Sequence, residues 1–312
     1  MAEKKAVVLV SEGLDSLLTL LILKNQGIEP IALKLITPFF GWKYKKEQEA
    51  FKKKLEALGV SEVKVIDITE EFLEVLKKPR YGYGSYANPC IDCKILMLKK
   101  AREVLSETGA SFIATGEVLG QRPMSQNKAS LELIEKRAGV EGLVLRPLSA
   151  KLLAPTEVEK KGLVNREALF DIYGRRRVRQ IELARKLGLK EIPSPSGGCL
   201  LTDPQIGERV LTVIKEKRPL TRNTAELLTF GRHFFEEGLW VVLGRNQKEN
   251  QRLFELTKDE FVCYSLNFPA PCLVVVEGEP PEEYLKSLLL KYSKKARQAL
   301  EKGEEVVLEK LN

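Results

Sequence analysis

Two groups of residues in this 312-residue chain have the types and spacing to do chemistry. The first is Ser11-Glu12-Gly13-Leu14-Asp15-Ser16, which follows a β-branched run at residues 6–10 and leads into Leu14, Leu17, Leu18, Leu21 and Ile22 at helical spacing. That pattern reads as a strand, a tight loop and a helix. Backbone N–H groups at a helix N-terminus, together with small hydroxyl side chains, cradle phosphate oxygens, and the helix dipole favours the negative charge. Asp15 could hold Mg2+ between phosphates, although Ser11 and Asp15 are also ordinary helix-start residues. The second group is cysteine: Cys90 and Cys93 form a Cys-x-x-Cys at a helix start, and Cys199 follows Gly197-Gly198. The dipole is expected to lower the pKa of thiols at such a helix start, leaving thiolate available for metal binding or sulfur chemistry.

The elements that must position these groups alternate. Residues 31–36 read as a strand, 45–58 as a helix, 63–68 as a strand and 70–77 as a helix; beyond a Gly/Pro-rich loop, 91–108 read as a helix and 111–115 as a strand. Such alternation implies an α/β fold, a parallel sheet with helices on both faces, which binds ligands at the carboxyl edge of its strands. Pro193, Pro195, Gly197 and Gly198 cannot continue the preceding helix. The expected organisation is therefore a first domain at 1–192, a smaller α+β domain at 193–279 and a helical C-terminal tail at 280–312. Strands in the second domain are expected at 239–243, 260–264 and 272–276.

Composition narrows the class. An apolar content of 44% with 30% charged residues excludes a disordered or low-complexity chain. The 51 basic residues outnumber 43 acidic ones, for a net charge of +8 and a pI of about 9.1, which favours a polyanionic partner. Within residues 172–190, Arg175, Arg176, Arg177, Arg179, Arg185, Lys186 and Lys190 face Glu182 alone, a positive run suited to a nucleic-acid backbone. A second basic cluster around Trp42, Tyr44 and Phe51 reads equally as a solvated helix face. The apolar run at 17–23 is far short of the roughly 20 residues of a bilayer span. The run at 6–10 is too short for the core of an export signal. No membrane association is expected, and a cytoplasmic setting would leave the five cysteines as thiols, metal ligands or redox groups.

The Ser11–Ser16 loop resembles that of the PP-loop ATP pyrophosphatases, Ser-Gly-Gly-x-Asp-Ser, with Glu12 in the second place. Ala114-Thr115-Gly116-Glu117-Val118-Leu119-Gly120-Gln121, with Ser125-Gln126 and Leu145-Arg146-Pro147-Leu148, resembles segments of tRNA 4-thiouridine synthetases. Asn88-Pro89-Cys90-Ile91-Asp92-Cys93 and Gly197-Gly198-Cys199 are similar to the cysteine motifs of tRNA 2-thiouridylases. The resemblance implies a PP-loop α/β fold, ATP and Mg2+ as cofactors, and tRNA as the partner. It also implies a reaction in which a uridine carbonyl is adenylated and its oxygen replaced by sulfur, most directly forming 4-thiouridine at position 8. Ser11, Gly13, Asp15 and Ser16 would hold pyrophosphate and Mg2+, Thr115 and Gly116 would border the nucleotide, and Gln121 and Gln126 would orient nucleotide or base.

Cys90, Cys93 and Cys199 would deliver sulfur from sulfide or a persulfide carrier. Three thiolates could hold a [4Fe–4S] cluster and leave its fourth iron open to external sulfide. A persulfide resolved as a disulfide and a structural zinc site stay open. The phosphate loop starts at residue 11, so no N-terminal RNA-binding module is expected before it; the Arg175–Arg179 run, the second domain or a homodimer would grip the tRNA. In that second domain, Gly231-Arg232-His233-Phe234 and residues 241–250 resemble the RNA-binding domain of NFACT proteins. Arg245 and Asn246 would contact RNA, or else Asn246 caps a helix while Arg245 pairs with a glutamate. His233 is expected to pack rather than catalyse. Competing readings are 2-thiouridine synthesis, a PP-loop ligase acting on a small molecule, and a catalytically silent RNA-binding protein.

Overall fold

The computed structural model describes residues 4–11, 13–193 and 198–312. Glu12 of the phosphate loop and Gly197 ahead of Cys199 lie outside the described residues. The chain divides into two compact units, Met1–Thr202 and Asp203–Asn312.

The first unit runs β1 (Lys5–Leu9), α1 (Leu14–Asn25), β2 (Glu29–Ile36), α2 (Gln48–Glu56), β3 (Glu62–Asp67), α3 (Thr69–Lys77), α4 (Cys90–Thr108), β4 (Phe112–Thr115), α5 (Lys128–Ala138), β5 (Val144–Leu145), α6 (Glu157–Lys160) and α7 (Val178–Lys186). The strands form one parallel sheet in the order β3-β2-β1-β4-β5. Side chains on β1 alternate between two cores. Ala6 and Val8 join Leu14, Leu17, Leu18 and Phe51 on one face, while Val7 joins Leu98, Ala101, Val104 and Ile134 on the other. A central strand covered on both faces has no reason to carry polar residues, which explains the unbroken apolar run at 6–10. Strand order reverses between β1 and β4, so the crevice at their carboxyl ends is a switch point where such sheets bind ligands. The Ser11–Ser16 loop leaves β1 there, and Gly116 leaves β4 beside it.

The second unit begins where Asp203 caps α8 (Pro204–Lys215), its side chain accepting the Ile206 N–H at 3.1 Å with Pro204 in the first turn. The boundary thus falls at 202/203 rather than 192/193. Chain beyond the Pro/Gly break returns to the first unit, where the Leu200 N–H donates to the Phe39 carbonyl at 2.9 Å. There follow α9 (Arg222–Leu227), β6 (Arg232–Glu236), β7 (Leu239–Leu243), α10 (Gln247–Thr257), β8 (Val262–Leu266), β9 (Leu273–Glu277), α11 (Glu282–Tyr292), α12 (Lys294–Glu301) and β10 (Leu308–Lys310). The strands form an antiparallel sheet in the order β10-β8-β9-β7-β6. Residues 280–312 are not a separate helical tail: Leu285, Leu288 and Leu289 share a core with Val241, Leu243 and Leu273, and β10 pairs with β8. Among the described residues no helix is long and apolar enough to cross a membrane.

Candidate active site

The phosphate loop is braced from within. Buried Ser16 donates from Oγ to the Gly13 carbonyl at 2.8 Å and accepts the Ser11 N–H at 3.2 Å. Ser11 Oγ accepts the Gly13 N–H at 3.3 Å. The turn following β4 presses directly on this loop: a Cβ at Gly116 would lie 2.6 Å from both the Asp15 carbonyl carbon and the Ser16 nitrogen. Only glycine permits that approach. Asp15 Oδ2 accepts from Gln121 Nε2 at 3.0 Å, whereas its Oδ1 is buried without a partner. Burial raises the Asp15 pKa, opposed by the Gln121 hydrogen bond and by the positive charges of Arg177 and Arg122. A half-buried carboxylate with one oxygen unsatisfied suits a cation that takes its remaining ligands from phosphates and water, as Mg2+ does.

Other unsatisfied groups belong to the same neighbourhood. Gln180 on α7 is wholly buried, both of its amide atoms lack a hydrogen-bond partner, and it stands close enough to Asp15 to favour the ionised carboxyl. Gln126 Oε1 and Ser125 Oγ are likewise buried and unpartnered. Thr115 turns its hydroxyl away, donating to Glu117 at 3.0 Å. Glu117 is buried and also meets Lys94 of α4 at 2.5 Å and Arg146, just past β5, at 3.0 Å; Arg146 in turn pairs with Glu135 of α5. Burial opposes ionisation of Glu117, but the two cations prevail and hold its carboxyl down to about 2. This network locks the turn that carries Gly116 to the helix that carries the cysteines. No local spacing signals it, because the partners lie 23 and 29 residues from Glu117.

The three motif cysteines lie near enough to act on one another's charge. Cys90 opens α4, Cys93 follows one turn later, and Cys199 arrives from a segment fixed by the Leu200–Phe39 hydrogen bond. Burial raises the Cys93 thiol pKa, and the charges of Cys199 and Cys90 raise it further. Cys199 is pushed up to about 12, chiefly by burial and also by Cys90, while the Leu201 N–H and Arg122 oppose the shift. The expected lowering at the helix start is therefore reversed for Cys93, since desolvation and neighbouring sulfur outweigh the dipole. Among the described residues no group of three or more His, Cys, Asp and Glu side chains is set to hold a single metal ion. Arg122, which motif reasoning passed over, links the two halves of the site. Its guanidinium lies 3.3 Å from where a Gly198 Cβ would stand and also acts on Asp15 and Cys199.

Residues 1–151 match the family described as Thiamine biosynthesis protein (ThiI). That match spans β1 to β5 and both the Ser11–Ser16 loop and the Cys90–Cys93 motif. A probable tRNA sulfurtransferase from Methanobrevibacter smithii is 32% identical over 155 residues, 46% of this chain and 37% of that protein. The tRNA-specific 2-thiouridylase MnmA of Geobacter metallireducens is 31% identical over 139 residues, 37% of this chain and 35% of that protein. The chain thus spans little more than a third of the length of these curated relatives. Among solved structures, a 4-thiouridine synthetase in complex with RNA and ATP aligns with a TM-score of 0.42 at 23% identity, over 69% of this chain and 53% of that one.

Around the Asp15 centre the arginine run divides. Arg175 and Arg176 are exposed. Arg177 turns inward, donating to the Pro193 carbonyl at 3.1 Å and acting on Asp15, and Arg179 pairs with Asp171. A uniform backbone-tracking face is therefore replaced by two outward guanidiniums and two already engaged.

In the second unit, Arg245 forks onto Glu249 through bonds of 2.7–3.0 Å, and Asn246 caps α10 by accepting the Glu249 N–H. His233 Nδ1 accepts from Trp240 Nε1 at 3.1 Å and Nε2 faces the Phe230 and Leu227 carbonyls, a half-buried imidazole whose pKa desolvation lowers to about 3. Cys263 and Cys272 are buried.

Proposed function

We propose that this protein is an ATP-dependent tRNA thiouridine synthetase that forms 4-thiouridine. What supports the reading is a braced phosphate loop whose Asp15 keeps an unsatisfied oxygen, in a segment that matches the ThiI family, with Cys90, Cys93 and Cys199 near enough to act on one another's charge. First-turn N–H groups of α1 would receive the phosphates, Asp15 would hold Mg2+, and Arg177 and Arg122 would offset the charge of the leaving pyrophosphate. The uridine carbonyl oxygen attacks the α-phosphorus of ATP and pyrophosphate departs; sulfide then adds to the same carbon and AMP leaves with the oxygen. Gln121, through its bond to Asp15, would orient the carboxylate, while Gln126 and Gln180 offer unused amide atoms to nucleotide or base.

Three cysteine thiolates are the donor set of a [4Fe–4S] cluster with one open iron, and Cys90, Cys93 and Cys199 would supply them. When bound, the cluster would supply an open iron to hold external sulfide. Arg175 and Arg176 would take tRNA phosphates. The second unit, through its NFACT-like resemblance, would add RNA contacts, with Arg245 exchanging Glu249 for phosphate. The setting would be cytoplasmic, with dimerisation as a further means of gripping tRNA.

The test is mass spectrometry of nucleosides from tRNA incubated with anaerobically reconstituted protein, ATP, Mg2+ and sulfide. 4-Thiouridine is the expected product. 2-Thiouridine would move the reaction to the other carbonyl, and an absence of both together with no tRNA-stimulated pyrophosphate release would leave a silent RNA-binding protein.

A further inference from the structure

We propose that Tyr173 is a stacking platform for an unpaired RNA base held outside the Asp15 centre. Among the described residues, the two most exposed large apolar side chains, Tyr173 at 68% and Val178 at 60%, lie on the same short segment. A ring that open, with one face supported from behind, leaves its other face free to stack on a base. The ring is also firmly seated. A Cβ at Gly120, whose φ is +77°, would fall 2.7 Å from two atoms of the Tyr173 ring, so one side of the ring rests on bare backbone. Gly174 N–H donates to the Leu119 carbonyl at 2.8 Å. Buried Ser149 joins the same two strands of chain, donating to the Ile172 carbonyl at 2.6 Å and accepting the Leu119 N–H at 2.9 Å.

The surroundings select the occupant. Gln121, next to Gly120, is bonded to Asp15, so the ring borders the nucleotide loop. The exposed guanidiniums of Arg175 and Arg176 follow two and three residues later, placed for the phosphates flanking a splayed base. Single-stranded segments are recognised by such a combination of aromatic face and backbone cations. This inference rests on the tRNA reading above and names the surface that receives the base.

The test uses an RNA hairpin with a one-nucleotide bulge of 2-aminopurine, titrated with the full chain. Wild-type protein should quench the fluorophore by stacking. Tyr173→Ala should abolish the quench and weaken binding about five-fold or more, because base–aromatic stacking is worth at least about 1 kcal/mol and 1.4 kcal/mol is tenfold. Tyr173→Phe should retain both, with circular dichroism and urea midpoints unchanged in each variant. Binding by Tyr173→Ala within about two-fold of wild type would overturn the proposal, as would a loss confined to ATP affinity or a change in oligomeric state, which would assign the ring to adenine or to a protein surface. Nucleoside analysis in parallel separates the two ideas. Wild-type protein that thiolates tRNA without dependence on Tyr173 loses only the platform, whereas Tyr173-dependent RNA binding without thiolation loses only the enzymatic reading.

Discussion

Alanine at position 116 would drive a methyl carbon to 2.6 Å from the Asp15 carbonyl carbon and the Ser16 nitrogen, and to 2.7 Å from the Asp15 oxygen. Ordinary contacts of this kind settle near 3.5–4 Å, so the two backbones must part by about 1 Å. All three obstacles are main-chain atoms, and no side chain can swing aside. Overpacking of this sort costs about 1–3 kcal/mol. A displacement of about 1 Å in the groups that position a substrate can cost on the order of a hundredfold in rate. Gly13→Ala is the natural control for stability, since its φ is −67° and its Cβ would meet only the Ser11 hydroxyl, at 3.3 Å. Urea unfolding followed by circular dichroism, with ATP–pyrophosphate exchange in the presence of tRNA, reads both effects. Gly116→Ala should lose about 1–3 kcal/mol and most of its adenylation, and Gly13→Ala should unfold near wild type. Wild-type stability and exchange in Gly116→Ala would refute the close packing of the β4 turn on the phosphate loop.

Asp15→Asn should abolish pyrophosphate release while leaving tRNA affinity intact, because the cation ligand is lost and the basic surface is untouched; normal release would remove Asp15 from the centre. Glu117→Gln should destabilise the first unit by about 3–5 kcal/mol, since Arg146 and Lys94 would lose the buried carboxylate they share. The Glu117 carboxyl titrates lower in the folded state, so its stabilisation is present above the ordinary glutamate range and is lost as pH falls from about 4.5 toward about 2. Thermal melts of wild type and Glu117→Gln should converge over that interval, and parallel curves would contradict the assignment. Replacing Arg175 and Arg176 with glutamine should reduce the salt slope of tRNA binding by about 0.7–0.9 for each phosphate no longer neutralised, whereas Arg179→Gln, whose guanidinium is held by Asp171, should change it less. Equal changes in slope per arginine replaced would show that pairing with Asp171 makes no difference.

Much of this arrangement is legible in the sequence. The β-branched run at 6–10 and the leucine spacing after Leu14 specify β1 and α1, because a doubly covered strand and a buried helix leave compositional marks. The motif cysteines also stood out. Pairings between distant side chains did not. Glu117 and Arg146 were visible only as motif letters, and Lys94, Glu135 and Arg122 carried no signal at all, since burial and partnership are set by tertiary packing. β5 has two residues, too few for alternation to mark it. The thiol shift had its direction wrong for a related reason: a helix dipole can be read from position, but desolvation and the approach of Cys199 cannot. The exposed ends of the arginine run looked alike in sequence, and only the fold separates Arg177 from Arg175.

The most direct test of three cysteines acting as one sulfur-transfer centre is the parallel measurement of iron and tRNA thiolation in Cys199→Ala after anaerobic reconstitution. Wild-type protein should bind about four irons per chain with broad thiolate-cluster absorption and thiolate tRNA. Cys199→Ala should lose both while still binding ATP, and Cys263→Ala, a change in the second unit, should lose neither. A full complement of iron and full thiolation in Cys199→Ala would contradict the three-cysteine centre.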